Sequence, residues 1–309
     1  MALSAPLLAR KRILRIATES TKGTAVTTTD YLLVFDLQTN VESTFAERKG
    51  GGGFLGHTAP GIVDGILAGS CSFTAELKGT DSAALNTVLV KLLKACGVAQ
   101  ATQVYTPTSV PGTMETVTVD VFEDGVQKRL RGAMGNAVFR NGAGGRVLID
   151  FTLTGVWQPP VDTALPTPTF TAVVPMRTNA AAGAFTIDSE TIKVANWSFD
   201  LGNNVILRPD IANQGGSIHA LITGRDPAWT LDPEFDKVAG YDFYGKWLAG
   251  TTANLSLSIT NGTDTATFAS TKLQFRDPSQ ADRDGIQTLD VTAQCVATSG
   301  DDEWSLTLT

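Results

Sequence analysis

Apolar and polar residues alternate with a period of two along most of the chain, which is the pattern of β-strands with one buried face. The alternation is found at 31–38, 69–79, 115–122, 146–157, 184–202, 216–226, 255–260, 265–276 and 285–297. A Glu-Asp-Gly turn at 123–125 lies between two alternating runs and predicts a hairpin. We therefore expect a mainly β protein.

Two segments carry signals of helices instead. Residues 82–96 place six apolar side chains on one helical stripe, with Asp81 or Ser82 as the N-cap and Gly97 as the stop. A second helix is predicted to begin at 232–234, because Asp-Pro-Glu joins a capping residue to a proline at the first helical position.

The order of these elements repeats on either side of residues 158–169, which contain four prolines and read as a linker. We expect an N-terminal arm at 1–30, a first domain at 31–157 and a second at 170–309. Each would be a sandwich or barrel-like β domain with one flanking helix. Identities at offsets of 136, 140 and 145 residues favour internal duplication, and an unrelated pair of β domains is the alternative.

Composition narrows the function. Lys and Arg number 24 against 31 Asp and Glu, a net charge of −7 that disfavours a nucleic-acid-binding role. The 41 threonines favour pleated sheet. Three scattered cysteines predict reduced core thiols rather than a disulfide framework. No apolar run is long enough for a membrane helix, and the basic cluster follows the apolar start, so we expect no secretion signal.

No catalytic or cofactor-binding arrangement stands out. His57 lies in a glycine-rich loop and His219 in a strand, and neither has a nucleophile motif nearby. The glycine run at 50–53 lacks the Lys-Ser/Thr of a phosphate-binding loop. Asp282 and Asp284 could hold Ca²⁺, but a charged turn is favoured. We expect no enzyme, no cofactor and no metal site.

Two segments suggest contacts between subunits. The 39–68 segment is long for a connection between strands, and its charged shoulder, glycine centre and apolar tip suit insertion into a neighbouring subunit. The residues expected to make this contact are Glu47, Arg48, Gly51, Phe54 and Leu55. The basic cluster at 10–15 is either a nucleic-acid arm or, as we favour, a dock for the acidic surface of the next copy.

Five segments of the sequence are distinctive when taken together. Three lie in the first half: LRIATESTKGTAVTTTDYLLV at 14–34, GSCSFTAELKGTDSAALNTVLVKLLKACG at 69–97 and RLRGAMGNAVFRNGAGGRVLIDFTLTGVWQPP at 129–160. Two lie in the second half: ITGRDPAWTLDPE at 222–234 and DRDGIQTLDV at 282–291. Together these segments resemble the major tail tube proteins of phages with long, non-contractile tails. The glycine richness of the 39–68 segment departs from the family pattern.

The resemblance implies a structural protein, made in the host cytoplasm, that polymerises as stacked rings into the virion tail tube for genome delivery. Sheets of neighbouring subunits would join into a barrel around a channel that DNA crosses without specific binding. Expected partners are other copies of the chain and the tape measure, terminator and distal tail proteins. If the unit is duplicated, three chains form a pseudo-hexameric ring, which we favour over six chains.

Strand parity predicts which residues face that channel. Val117, Val119 and Val121 share one face of their strand and should point to the core. Asp120 and Asp150 lie on the opposite parity, and Asp290 is the counterpart of Asp150, so these three are expected to face the channel or to lie just beside it. The competing assignment puts them in intersubunit ion pairs with Arg129 or Arg131.

Two functions from other classes remain open at this point. One is a β-sandwich module of the virion surface that binds a carbohydrate or receptor; the five tryptophans, scattered along the sequence, weigh against it. The other is a β-sandwich hydrolase or lyase, which the missing catalytic residues disfavour.

Overall fold

Long antiparallel strands dominate the computed structural model, which describes residues 6–53, 55–56, 59–170, 172–178 and 185–309. Strands account for 57% of the chain and helices for 5%, so the predicted mainly β fold is confirmed. The first half contains β1 (Arg12–Thr18), β2 (Asp30–Leu32), β3 (Val34–Ala46), β4 (Ile62–Glu76), α1 (Thr87–Ala95), β5 (Val98–Ala101), β6 (Val104–Pro107), β7 (Val117–Glu123), β8 (Val126–Gly142) and β9 (Leu148–Asp162).

The second half contains β10 (Phe185–Ile187), β11 (Glu190–Thr191), β12 (Val194–Asp200), β13 (Asn203–Pro209), β14 (Ser217–Arg225), β15 (Ala228–Pro233), α2 (Phe243–Ala249), β16 (Ala253–Thr260), β17 (Thr265–Arg283), β18 (Ile286–Cys295) and β19 (Ser305–Leu308). Among the described residues no helix is long and apolar enough to cross a membrane.

Eight of these strands form one continuous antiparallel sheet in the spatial order β3-β4-β9-β8-β12-β15-β18-β17. The two halves meet where β8 pairs with β12, with Phe139 opposite Phe199. Both rings are fully buried, 6.2 Å apart, because this face of the sheet covers the hydrophobic core. The joined strands make one sheet of the two halves.

A second layer closes the other side of the core. It contains β2, β1 and β7 from the first half, and β10 and β16 together with β19, β6 and β5 near the second. β8 reaches this layer because it pairs with β7 near its start and with β12 near its end. The main cluster of buried apolar residues draws on both halves and both layers, and includes Leu14, Phe139, Ile187 and Leu289.

The two halves repeat the same strand pairings. β1–β7, β7–β8, β8–β9, β4–β9 and β3–β4 correspond to β10–β16, β16–β17, β17–β18, β15–β18 and β12–β15. A register irregularity follows Val117–Ala133 in the first half and Ala253–Leu273 in the second. Because the same irregularity occurs in both halves, each residue of β7 corresponds to the residue 136 positions later, in β16. Each residue in the first part of β8 corresponds to the residue 140 positions later, in β17. This pattern is compatible with internal duplication.

Two of the sequence matches do not survive this comparison. The offset of 145 pairs Ala75 of β4 with Ala220 of β14, whereas the strand that corresponds to β4 is β15. At an offset of 136, Phe139 was matched with Phe275, yet Phe139 lies opposite Ile149 and Phe275 lies opposite Ala293. Gly135, opposite Leu153, holds the position that corresponds to Phe275, 140 residues later. The match of Phe139 with Phe275 fails because the hairpin of the second half is four residues longer: the pair Glu123–Val126 corresponds to the pair Ile259–Ala266, which encloses six residues instead of two.

The first helix is shorter than predicted. It begins after Asn86, whose side chain accepts a hydrogen bond from Val88, so Asp81 and Ser82 are not its caps. Asp81 and Ala83 have positive φ angles, and their amides donate to the buried Asp264 at 2.8 Å each, which excludes a helical start there. The helical stop at Gly97 is as predicted, with φ of 75°.

The second helix does not begin at Asp232. That residue belongs to β15, and its carboxylate accepts hydrogen bonds from the amides of Ala195 and Asn196 in the neighbouring strand. The carboxylate of Asp232, predicted to cap a helix, stabilises the irregular pairing of β12 with β15 instead. The helix of this half is α2, where Asp242 accepts from Gly245 and Gly250 ends the helix in the left-handed region.

Parts of the predicted arm and linker are strands. β1 pairs with β7 along its whole length, and its Leu14 and Ile16 are fully buried. β9 continues to Asp162, which lies opposite Val126, so residues 158–162 of the predicted linker extend the sheet. The division into domains at these boundaries stays a prediction.

The cysteines and tryptophans are core residues. All three cysteines are buried and free, and burial raises the pKa of the Cys71 and Cys295 thiols to about 12. Trp197, Trp229 and Trp304, scattered in sequence, meet in one buried aromatic cluster, so the interpretation that the tryptophans do not cluster is wrong for these three. Burial keeps the cluster from serving as an exposed binding surface.

Candidate assembly surfaces

The eight-stranded sheet carries Asp150 and Asp290 on the face opposite the core. Asp290 lies in β18 and is exposed, while its neighbours Leu289 and Val291 are fully buried. Asp150 holds the corresponding position in β9, between the buried Ile149 and Phe151. Strand parity thus places both acids on one polar face, where their neighbours include hydroxyl and amide side chains. These neighbours are Gln38, Asn40, Ser70, Ser72, Thr152, Ser279 and Thr292.

Asp150 does not stand alone on this face. Thr74 donates a hydrogen bond to Oδ1 at 2.6 Å, and Arg140 donates to both carboxylate oxygens. Partial burial would raise the pKa of Asp150, but the hydrogen bonds from Arg140 and Thr74 outweigh it and lower the pKa. Asp290 has no such partner among the described residues, so its charge on this face is not offset by a contact.

Asp120 lies in the interior, not on an exposed face, and its side chain is 1% exposed. Arg129 donates to Oδ1 at 2.7 Å and to Oδ2 at 2.8 Å, and Thr28 donates to Oδ2 at 2.6 Å. The expected position in a channel is therefore wrong for Asp120. The ion pair with Arg129 is present, but within one chain.

The parity argument fails for β7 because both faces of that strand are covered. Besides the valines on the core side, Thr116 and Thr118 are fully buried beneath the N-terminal segment. Glu19, which is 6% exposed, accepts hydrogen bonds from both threonine hydroxyls and from the amides of Gly23 and Gly132, at 2.7–2.8 Å. Sequence reasoning missed this buried carboxylate; the polar Thr-x-Thr-x-Asp run opposite the valines was the only available sign.

Half of the 39–68 segment is strand, because β3 extends over residues 39–46 and β4 over residues 62–68. β3 and β4 continue as a projecting hairpin as far as Ala46 opposite Ile62. Apolar side chains on it are exposed, with Phe45 at 65% and Val63 at 58%. We call residues 43–64 the projecting hairpin.

The residues expected to make contacts lie at the end of the projecting hairpin. Glu47 and Arg48 are exposed, with Glu47 paired to Lys49 at 2.7 Å, and Gly51 and Leu55 are exposed too. Phe54 lies outside the described residues, as does His57. The contact role of these residues stays a prediction.

The basic cluster at 10–15 is occupied by its own chain. Lys11 pairs with Asp124 at 3.0 Å and Arg12 with Glu123 at 3.2 Å, at the turn between β7 and β8. Arg15 lies over the Tyr31 ring, 5.1 Å from its centroid. These contacts within the chain partly offset the charge of the cluster, and its docking onto the acidic surface of the next copy stays a prediction.

The remaining polar candidates have structural positions. The turn at 282–285 joins β17 to β18, where Asp284 and Gly285 take the positive φ angles of a two-residue hairpin turn. His219 is buried in β14, with Nδ1 2.6 Å from the Ala220 carbonyl oxygen. In the part of the chain that the structure describes, no three metal-ligating side chains come together.

Two strand edges of the eight-stranded sheet are open. Among the described residues, β3 pairs only with β4, which leaves its outer edge without a strand. The end of β17, residues 276–283, pairs with β18 on one edge, and β16 covers the other edge only as far as Leu273. Such edges present unpaired amide and carbonyl groups, which template the addition of a further strand.

Comparison with known proteins identifies a family. A family model described as phage tail tube protein matches residues 9–295, nearly the whole chain. A search among curated proteins gave no match.

The burial difference between the two acid–arginine pairs is open to measurement. Asp120→Ala should lower the free energy of unfolding by about 1.5–3 kcal/mol, since it removes a buried carboxylate that accepts hydrogen bonds from the partly exposed Arg129 and from Thr28. Asp150→Ala, the control at the exposed pair, should lower it by less than about 1 kcal/mol. Urea unfolding, at protein concentrations low enough to keep the chain unassembled, measures the free energy of unfolding of both variants. Equal losses would contradict the distinction.

Proposed function

Because the chain belongs to the phage tail tube protein family, a structural component of the virion tail, we propose that it polymerises as stacked rings into the tube of a long, non-contractile tail, the channel for genome delivery. The observation that carries this proposal is the eight-stranded sheet, which combines a core face, a polar face and two open edges. Joining these edges from copy to copy would close the sheets into a barrel without leaving a strand edge exposed.

Ring size follows from the strand count. Three chains would supply 24 strands, and at about 4.8 Å per strand the barrel circumference is about 115 Å, or about 37 Å in diameter before strand tilt widens it. That bore admits a DNA duplex once side chains are added. Six chains would double the diameter. The repeated pairings in each chain therefore favour three chains, with six repeats, over six chains.

The polar face suits the lining of such a channel. Asp150 and Asp290 would together place six carboxylates around a three-chain ring, amid hydroxyl and amide side chains. Acidic side chains repel phosphate, so DNA would pass without binding. Asp290, whose charge has no described partner, would contribute most to this repulsion.

The projecting hairpin suits contacts between rings or subunits. Its exposed apolar residues, such as Phe45 and Val63, would be covered by a neighbour in the assembled tube. Glu47, Arg48, Gly51 and Leu55 lie at its end, and we propose that they complete that contact together with Phe54. The remaining proposed partners are the tape measure, terminator and distal tail proteins, and the chain would be made in the host cytoplasm before it joins the tail.

The alternatives receive no support from a specific observation. Trp197, Trp229 and Trp304, which cluster, are buried, so this cluster is not a surface for a carbohydrate or a receptor. The buried carboxylate of Glu19 accepts hydrogen bonds from the hydroxyls of Thr116 and Thr118, a structural arrangement that does not favour a hydrolase or lyase.

Assembly is the direct test of the proposed function. Electron microscopy of the purified protein should show rings or hollow tubes, and native mass spectrometry of the ring should give three chains. A ring of six chains would exclude the three-chain arrangement while leaving the tube in place. A protein that stays monomeric over a range of salt and protein concentrations would contradict the proposed function.

Shortening the projecting hairpin tests its contact role. Deletion of Gly50–Gly56 should leave the chain folded, because loop shortening costs little and removes no core strand, but should abolish the stacking of rings. Circular dichroism checks the fold and electron microscopy measures tube length. Val238→Ser, which alters an exposed apolar residue elsewhere in the chain, serves as the control and should form tubes of normal length. Normal tubes from the deletion would show that the hairpin is not a stacking contact.

Charge reversal tests the proposed lining of the channel. Asp290→Lys should still assemble but slow genome release from virions, since the ammonium groups attract phosphate, and added salt should restore the rate. Asp162→Lys changes an exposed acid at the end of β9 and is the control. Failure of Asp290→Lys to assemble would place Asp290 in an interface, and an unchanged, salt-independent rate would place it outside the channel.

A further inference from the structure

The same strand edge is occupied in one half of the chain and open in the other. In the first half, the end of β8 pairs with β12 of the second half. In the second half, β17 corresponds to β8, yet on the same edge the end of β17, residues 276–283, has no partner strand among the described residues. The strand that corresponds to β12 is β3, whose outer edge is open as well. The occupied edge therefore shows how the two open edges fit together.

The shared register shifts in the sheet show which residues of the two halves correspond to each other. Val34 lies opposite Ala75 and Val194 opposite Pro233, each followed by a register shift, which aligns β3 with β12 at an offset of 160. By this offset Gln38 corresponds to Ser198 and Asn40 to Asp200.

β17 is aligned through its pairing with β18. Asp150 lies opposite Val138 and Asp290 opposite Ser279, so Ser279 corresponds to Val138. β17 contains one extra residue before this point, at the bulge where Asp277 has a positive φ. Continuing along the strand, Ala281 corresponds to Arg140.

The pairs in the occupied edge then give the pairs for the open edges. Ser198 lies opposite Arg140 and Asp200 opposite Val138. We propose that β17 of one copy pairs antiparallel with β3 of the next copy, with Gln38 opposite Ala281 and Asn40 opposite Ser279. This inference rests on the proposed tube and identifies the strands that join its subunits.

A cavity beneath β3 supports the pairing. It lies on the core side and is lined by Thr39, Cys71, Val119, Val121 and Lys128, among others. In the second half the corresponding space is filled, because Phe139 enters it from β8 and packs against Phe199 and Phe268 at 6.2 and 5.3 Å.

The proposed register determines which residue enters this cavity in the assembly. Gln280 of the neighbouring copy corresponds to Phe139 and lies opposite Thr39. Its amide would meet the Thr39 hydroxyl and the Lys128 ammonium group, which already lie 3.5 Å apart at the edge of the cavity. In the proposed contact, the polar groups of Thr39 and Lys128 would bind the Gln280 amide. At the corresponding position within the chain, the Phe139 ring is buried against Phe199.

Disulfide formation between engineered cysteines tests the register. The variant Gln38→Cys with Ala281→Cys, assembled under reducing conditions and then oxidised, should form disulfides between chains, because directly opposite residues meet the distance requirement. Non-reducing gel electrophoresis should show a ladder that ends at three chains. Asn40→Cys with Ser279→Cys gives a second, independent test. The native thiols do not compete, because all three are buried.

Two control variants come from the same chain. Ser198→Cys with Arg140→Cys reproduces the pair within one chain and should form an intramolecular disulfide. Gln38→Cys with Gln280→Cys moves one cysteine to the opposite face of its strand and should give no ladder.

The outcomes separate this inference from the proposed function. Tubes of normal appearance in which neither opposite pair forms a disulfide would overturn the strand pairing and leave the tube in place. A ladder from the Gln280 pair would overturn the register. Absence of tubes from the native sequence would overturn the proposed function itself.

Discussion

Pairing of β8 with β12 is the interaction on which the rest of the structure depends. Without it, each half would be a four-stranded sheet with two open edges and an aromatic core exposed at one side. With it, Phe139 and Phe199 enter one core and eight strands form one sheet. Antiparallel pairing holds the backbones at a fixed spacing, so the relation of the two halves is set by hydrogen bonds rather than by a flexible linker.

A second constraint is the burial of charge beneath the N-terminal segment. Glu19 accepts four hydrogen bonds, and Asp120 is held by Arg129 and Thr28, all close to β7. Buried carboxylates are tolerated only when their oxygens are bonded, so this segment cannot leave β7 without exposing a set of unpaired groups. The segment that composition suggested as a free arm is thereby tied to the sheet.

Sequence periodicity correctly predicted which face of a strand a residue lies on. It failed to predict exposure where a second layer of the structure covers the outer face of the strand. The alternation in β9 and β18 correctly placed Asp150 and Asp290 on the face opposite the core. The same alternation misplaced Asp120, since β7 is buried on both faces, and no pattern within a strand reveals what covers its outer side. Asp232 misled for a related reason: a carboxylate suited to capping a helix can bond the amides of a strand irregularity just as well. The correspondence between halves was likewise fixed by shared irregularities of register, which letter matching could not see.

Two repeats in one chain allow the two kinds of edge to differ. The edge within the chain is aromatic and forms during folding, when the partner strand is always present at high effective concentration. The open edges carry polar residues such as Gln38, Asn40 and Gln280, and β17 adds a bulge and a proline at Pro278, features that discourage indiscriminate strand addition. A bulge that must be matched, rather than a flat apolar edge, admits only a strand of the right register. In the proposed ring, subunits would join only where a correctly oriented neighbour matches this bulge. A ring of separate, identical repeats would lack this division of roles, because every edge would need to be both strong and selective.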